Sequence, residues 1–190
     1  MKDGKTSQPF RSSLQHPNVP SGCIGPADLQ RSIASMNVTG KAGAQGKREL
    51  IAFRIGGQEF CVDVMSVREI RGWTMATPLP QAPEFVRGVI NLRGTVLPIV
   101  DLASRLGYPA AEPTARHAIM VAQSGTQIAG LLVEGVSDIF TVTEEEIQPT
   151  PDVASDMAKR FVRGVIAMEG RLISIIAIEA VLPPPEKAAA

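Results

Sequence analysis

Phe85-Val-Arg-Gly-Val-Ile90 recurs letter for letter as Phe161-Val-Arg-Gly-Val-Ile166. The match extends beyond those six identities. Gly94 aligns with Gly170, Ile99 with Ile175 and Leu106 with Leu182, all at one offset. Around the first copy, Val86-Arg-Gly-Val-Ile90 and Thr95-Val-Leu-Pro-Ile-Val100 flank Asn91-Leu-Arg-Gly94, which predicts a β-hairpin. Residues 102–106 predict a short helix closed by Gly107. Working back toward the N-terminus, Leu50-Ile-Ala-Phe-Arg-Ile55 is strand-like, Gly56-Gly57 signals a turn, and Glu59-Phe-Cys-Val-Asp-Val64 alternates with period two. That first hairpin has its own echo. Arg116-His-Ala-Ile-Met-Val121, a Ser124-Gly125 turn and residues 127–133 repeat the layout of residues 48–64. Residues 65–70 predict a short helical turn or a strand extension, and Val67-Arg-Glu-Ile70 is matched by Val136-Ser-Asp-Ile139.

The chain is thus written as two copies of one unit, each of about 70 residues: hairpin, short helix, loop, hairpin, helix. Each unit is short, β-rich and punctuated by glycine. Two small closed β-barrels satisfy that pattern, because closure removes exposed strand edges. A barrel of this size is marginal alone. The two are expected to share apolar surface and to leave a groove between them, suited to an elongated partner such as a helical hairpin.

Composition narrows the function. The 190 residues are 44% hydrophobic, with 19 basic and 19 acidic side chains. Residues 1–48 carry seven basic and two acidic groups, so the remainder is acidic by five. Residues 1–46 are rich in Ser, Gly, Pro, Gln and Asn without a sustained apolar period. They are expected to form a disordered tail, with a short helix possible at 27–36, and residues 184–190 a disordered C-terminus. An acidic body with only 4% aromatic residues lacks the cation clusters and stacking platforms of a nucleic-acid binder. No long apolar block is present, so neither a membrane span nor a signal peptide is expected, and the chain is assigned to the cytosol.

Candidate chemistry is sparse. Cys23 and Cys61 are too few and too far apart for a disulfide framework or a zinc site. Cys61, between Phe60 and Val62, is expected to be a buried inert thiol. His16 lies in the tail, and His117 has no second histidine or cysteine near it. Glu144-Glu-Glu146 after Thr143 is explained by a helix start, where carboxylates meet unpaired amides. No nucleophile elbow, Walker lysine, zinc-protease helix or dinucleotide fingerprint occurs. No catalytic, metal or cofactor residues are assigned; a binding module remains.

Residues 48–182 resemble the CheW-type chemotaxis coupling proteins. The carrying motifs, in order, are Glu49-Leu-Ile-Ala-Phe-Arg54, Val67-Arg-Glu-Ile-Arg-Gly72, Phe85-Val-Arg-Gly-Val-Ile-Asn-Leu-Arg-Gly94, Val96-Leu-Pro-Ile-Val-Asp-Leu102 and Val133-Glu-Gly-Val-Ser-Asp-Ile139. The resemblance implies a mainly β domain over residues 47–183: two intertwined five-stranded SH3-like barrels with short helices. It also implies a non-enzymatic adaptor joining the cytoplasmic tips of methyl-accepting chemoreceptors to the regulatory domain of the CheA histidine kinase, within membrane-associated arrays. It places Val67, Glu69 and Arg93 at the receptor groove, with Gly88, Val136 and Ile139 as further candidates. Glu69 is expected to hold Arg93 in an oriented, charge-assisted pair. At Gln148 and Val153 some family members carry a basic residue and an aromatic, in a loop expected to help close adaptor–kinase rings; this chain departs from them. The competing readings are coupling in a non-flagellar chemosensory pathway and a small-barrel nucleic-acid module.

Overall fold

The computed structural model describes residues 46–110, 112–150 and 156–183. The expectations for the tail, for residues 184–190 and for Val153 fall outside the described residues. Among the described residues, eleven strands make two sheets. The first half supplies β1 (Lys47–Ile55), β2 (Gln58–Asp63), β3 (Val67–Gly72), β4 (Val86–Leu92), β5 (Thr95–Asp101) and helix α1 (Leu102–Arg105). The second supplies β6 (Ala118–Ser124), β7 (Gln127–Val133), β8 (Gly135–Thr143), β9 (Ile147–Gln148), α2 (Asp156–Phe161), β10 (Val162–Met168), β11 (Arg171–Ile176) and α3 (Ile178–Val181). One sheet runs β8-β1-β2-β11-β10-β9, the other β3-β6-β7-β5-β4.

Both sheets close by the same device. In the first, β8 passes through a 3-10 turn (Glu144–Glu146) into β9, which pairs with β10 at Gln148↔Val165 and Ile147↔Ile166. In the second, the chain after β3 bridges β4 at Thr77↔Val89, with both N–H···O distances 2.8 Å. Each sheet is therefore a five-stranded barrel in which the strand that follows a copy's first hairpin bends back onto the next strand of the same copy. We call them the β1 barrel and the β6 barrel.

The two copies exchange their first hairpins. The β1 barrel joins hairpin β1–β2 of the first copy to β8, β10 and β11 of the second, and the β6 barrel is the converse. The equivalent joints are alike: β11 meets β2 and β5 meets β7 in parallel, while β8 meets β1 and β3 meets β6 antiparallel. Bulges recur at matching positions, skipping Arg68 in β3 and Ser137 in β8, and Arg87 in β4 and Arg163 in β10. The sequence repeat is thus not a map of the barrels; each barrel is a composite of both copies.

The exchange explains the nearly continuous apolar runs of β1, β6 and β7 in the first hairpins. They are buried on both faces. In β1, Leu50 points into its barrel with Cys61, Val142, Ile166, Ile173 and Ile175. Its neighbours Ile51, Phe53 and Ile55 face a central cluster that also takes Phe60 and Val62 from β2, Met120 from β6 and Leu131 from β7. Ile90, Leu97, Ile99, Ile119, Val121 and Leu132 fill the β6 barrel. The central cluster draws on both sheets and welds the barrels together.

The repeated motif serves closure. A Cβ on Gly88, which has φ +136°, would stand 2.1 Å from the Thr77 carbonyl oxygen. On Gly164 it would stand 2.8 Å from that of Gln148. Both glycines make room for the closing segment. The motif arginine differs between copies. Arg87 donates to the buried Asp101 carboxylate (Nη2 2.8 Å, Nε 2.9 Å), which also accepts from the Ser104 amide and so caps α1. Arg163 instead meets the exposed Glu179 at 2.7 Å.

Candidate docking site

Both second hairpins turn on two residues with positive φ: Arg93 (51°) and Gly94 (87°) in one, Glu169 (50°) and Gly170 (74°) in the other. This is the turn whose twist suits a two-residue hairpin, and it favours Asn or Gly at its first position. The Asn91 side chain accepts from the Gly94 amide at 2.8 Å and steadies it. Arg93 is held there at a small backbone cost, with its head outside: its side chain is 81% exposed.

Arg93 Nη2 lies 3.2 Å from Glu69 Oε2. Glu69 belongs to strand β3, just past the bulge, and not to a helical turn. The 3-10 turn ends at Ser66, because Asp63 caps only Met65 and the pairing of β3 with β6 then takes over. The Glu69 side chain is 16% exposed, so the carboxylate is the fixed partner and the guanidinium the presented one. The pair contributes at most about 1 kcal/mol to stability, and its effect is orientation.

Val67 and Val136 occupy equivalent places beside the two bulges, and both are buried in the central cluster. Ile139 is half-buried and packs against the same cluster. Val67 of the β6 barrel and Val136 and Ile139 of the β1 barrel thus share one seam on the central cluster, and Glu69, two residues beyond Val67 in β3, pairs with Arg93. Gly88 stands apart from that group, buried under Thr77 at the closure of the β6 barrel.

Two neighbours escaped the sequence reading. Arg68, looped out at the β3 bulge, donates to Gln123 of β6. Met65, in the turn that carries the chain from one barrel to the other, is 72% exposed. The signal for Met65 was available: an apolar residue in a turn lies outside any strand alternation.

Other titratable groups singled out in the sequence have structural roles. The Glu146 carboxylate accepts from the Thr143 amide (2.7 Å) and hydroxyl (2.9 Å), and these bonds hold it below its usual value. Burial pushes the Cys61 thiol up to about 12. His117 Nδ1 accepts from the Thr114 amide at 3.0 Å. Among the described residues no group of three His, Cys, Asp or Glu could hold a metal ion. No helix among them is long and apolar enough to cross a membrane.

A family model described as the CheW-like domain matches residues 49–185. The chain belongs to the CheW-like family. The chemotaxis protein CheW of Rhizobium meliloti (strain 1021) is 62% identical over 145 residues, spanning 76% of this chain and 94% of that one. The chemotaxis protein CheW of Klebsiella aerogenes is 33% identical over 147 residues, 77% of this chain and 89% of the relative. Among solved structures, the scaffolding protein TtCheW from Thermoanaerobacter tengcongensis superposes with a TM-score of 0.64 at 28% identity, covering 69% of this chain and 89% of that one. A role as a chemotaxis adaptor follows from CheW-like membership, and the paired, intertwined barrels are the scaffold that serves it.

Proposed function

We propose that this chain is a non-catalytic coupler that holds a chemoreceptor's cytoplasmic tip and the regulatory domain of the CheA histidine kinase at once. The receptor's helical hairpin lies along the seam, touching Arg93, Ile139 and the edges of Val67 and Val136, with Glu69 aiming Arg93. Gly88 serves the same site indirectly, by keeping the β4–β5 hairpin closed on Thr77. The adaptor domain is taken as residues 47–183, acting in the cytoplasm at receptor arrays, with no cofactor and no nucleic-acid partner. The observation that carries this reading is the Glu69–Arg93 pair: an exposed guanidinium on a two-residue hairpin turn, held by a largely buried carboxylate. A guanidinium so fixed suits a polar or acidic side chain on the partner helix, while the apolar seam supplies area.

The test is binding of purified protein to a soluble receptor-tip fragment. Arg93→Ala is expected to weaken binding at least tenfold with unchanged unfolding behaviour. Wild-type affinity in that variant would remove Arg93 from the site. Capture of the kinase regulatory domain by the same variant should be unimpaired, since the two partners use different surfaces.

A further inference from the structure

Arg105 ends α1, directly after strand β5 of the β6 barrel. Its guanidinium carbon lies 4.1 Å from the ring centre of Phe85 and 5.2 Å from that of Phe161. These are the first letters of the two copies of the repeated motif, and one precedes β4 while the other precedes β10. Their backbones are matched as well: Phe85 O accepts from the Asp101 amide at 2.7 Å and Phe161 O from the Ala177 amide at 2.8 Å. The guanidinium therefore sits between equivalent rings from the two barrels. Its Nη2 also reaches Ala180 O in α3, on the far side of the joint, at 3.2 Å.

At the motif's own offset, the counterpart of Arg105 is Val181, which is fully buried. An aliphatic residue is thus compatible with this environment, and it avoids the costs that Arg105 incurs. Its Nε is buried without a partner, and Arg160 approaches the same Phe161 ring at 5.4 Å. Burial first, and then Arg160, hold the Arg105 guanidinium below its usual value. One copy carries the arginine and the other valine. A flat cation between two rings is satisfied in one relative disposition of those rings, whereas an aliphatic side chain tolerates sliding.

We infer that Arg105 is a positioning residue that fixes how one barrel sits against the other. Phe161 belongs to the same central cluster as Val67 and Val136, and Phe85 packs against it, so the clasp and the seam border one body of packed side chains. The consequence for docking rests on the proposed function; the clasp itself is tested without any partner.

The experiment places spin labels on cysteines substituted for Val96 and Leu172, which are 65% and 71% exposed and lie at equivalent points of the two barrels. Cys23 is replaced by Ser, and the buried Cys61 stays unlabelled. The parent should give one narrow distance distribution. Arg105→Met should broaden it at least twofold and speed amide exchange at Val67 and Val136 about tenfold. Arg105→Lys keeps the charge but not the planar group, and should behave like Arg105→Met. Phe85→Leu, at a half-buried ring, should reproduce the broadening, and it carries the test if Arg105→Met does not fold. The double variant should be no broader than either single one. Distributions that match the parent, lowered stability without broadening, or strictly additive effects would each overturn the inference.

Discussion

Three glycine-to-alanine changes separate backbone strain from crowding in this fold. Gly94 has φ +87° with open space where a Cβ would go, so Gly94→Ala meets strain alone, about 1 kcal/mol. Gly164 has no positive φ, but its Cβ would stand 2.8 Å from Gln148 O and 3.0 Å from Ile147 Cγ2. Gly164→Ala must push back a two-residue strand, at about 1–2 kcal/mol, partly offset by a stiffer unfolded chain. Gly88 has both problems: φ +136°, and a Cβ 2.1 Å from Thr77 O and 2.6 Å from Thr77 C. No side-chain rotation relieves a clash with backbone. The closing segment must leave, and with it the two 2.8 Å bonds between Thr77 and Val89. Adding about 1–2 kcal/mol of strain to two bonds of about 1 kcal/mol each gives about 3–4 kcal/mol for Gly88→Ala. Urea unfolding followed by circular dichroism measures all three. Gly88→Ala should be the most costly by about 2 kcal/mol, and its loss should be accompanied by fast exchange of the Val89 amide. If Gly88→Ala cost no more than Gly94→Ala, the closure account of the repeated motif would be wrong.

Other expectations follow from the same geometry. Asp101→Asn removes the charge facing Arg87 in a buried site and weakens the α1 cap, so it should cost about 2–4 kcal/mol, whereas Arg163→Gln in the exposed Arg163–Glu179 pair should cost under about 1 kcal/mol; equal losses in thermal unfolding would refute the distinction. Native Cys61 should resist thiol reagents at pH 8 and react only on unfolding, and rapid labelling of the folded Cys23→Ser variant would count against its burial. Because the folded thiol titrates near 12 against an ordinary 9.0, its contribution to stability is complete below pH 9 and is lost as pH rises from there toward 12. Cys61→Ala should flatten that alkaline fall, and an unchanged slope would assign it to other groups. A double-mutant cycle on Glu69 and Arg93 should give a coupling below about 1 kcal/mol in stability but a larger one in receptor-tip binding; a zero coupling in binding would remove Glu69 from its aiming role.

Local rules made much of this protein legible before any fold was considered. Period-two alternation, Gly-Gly and Arg-Gly turns and a duplicated six-residue motif fix the hairpins, because turn chemistry and strand periodicity act over a few residues. They also fix that there are two like units. The same local view left residues 65–70 open between a helical turn and a strand extension, and pairing with β6 decides for the strand from Val67 on. Only the tertiary structure decided which hairpin joins which barrel. The two copies are so alike that either first hairpin could complete either barrel. The choice depends on the short crossings at Val64–Ser66 and Glu134 and on burying both hairpins on two faces, neither of which the residue order reveals. Only it brings Arg105 to two distant phenylalanines. Contacts across such separations are set by packing of whole sheets, so the sequence names the participants and the fold alone determines which of them meet.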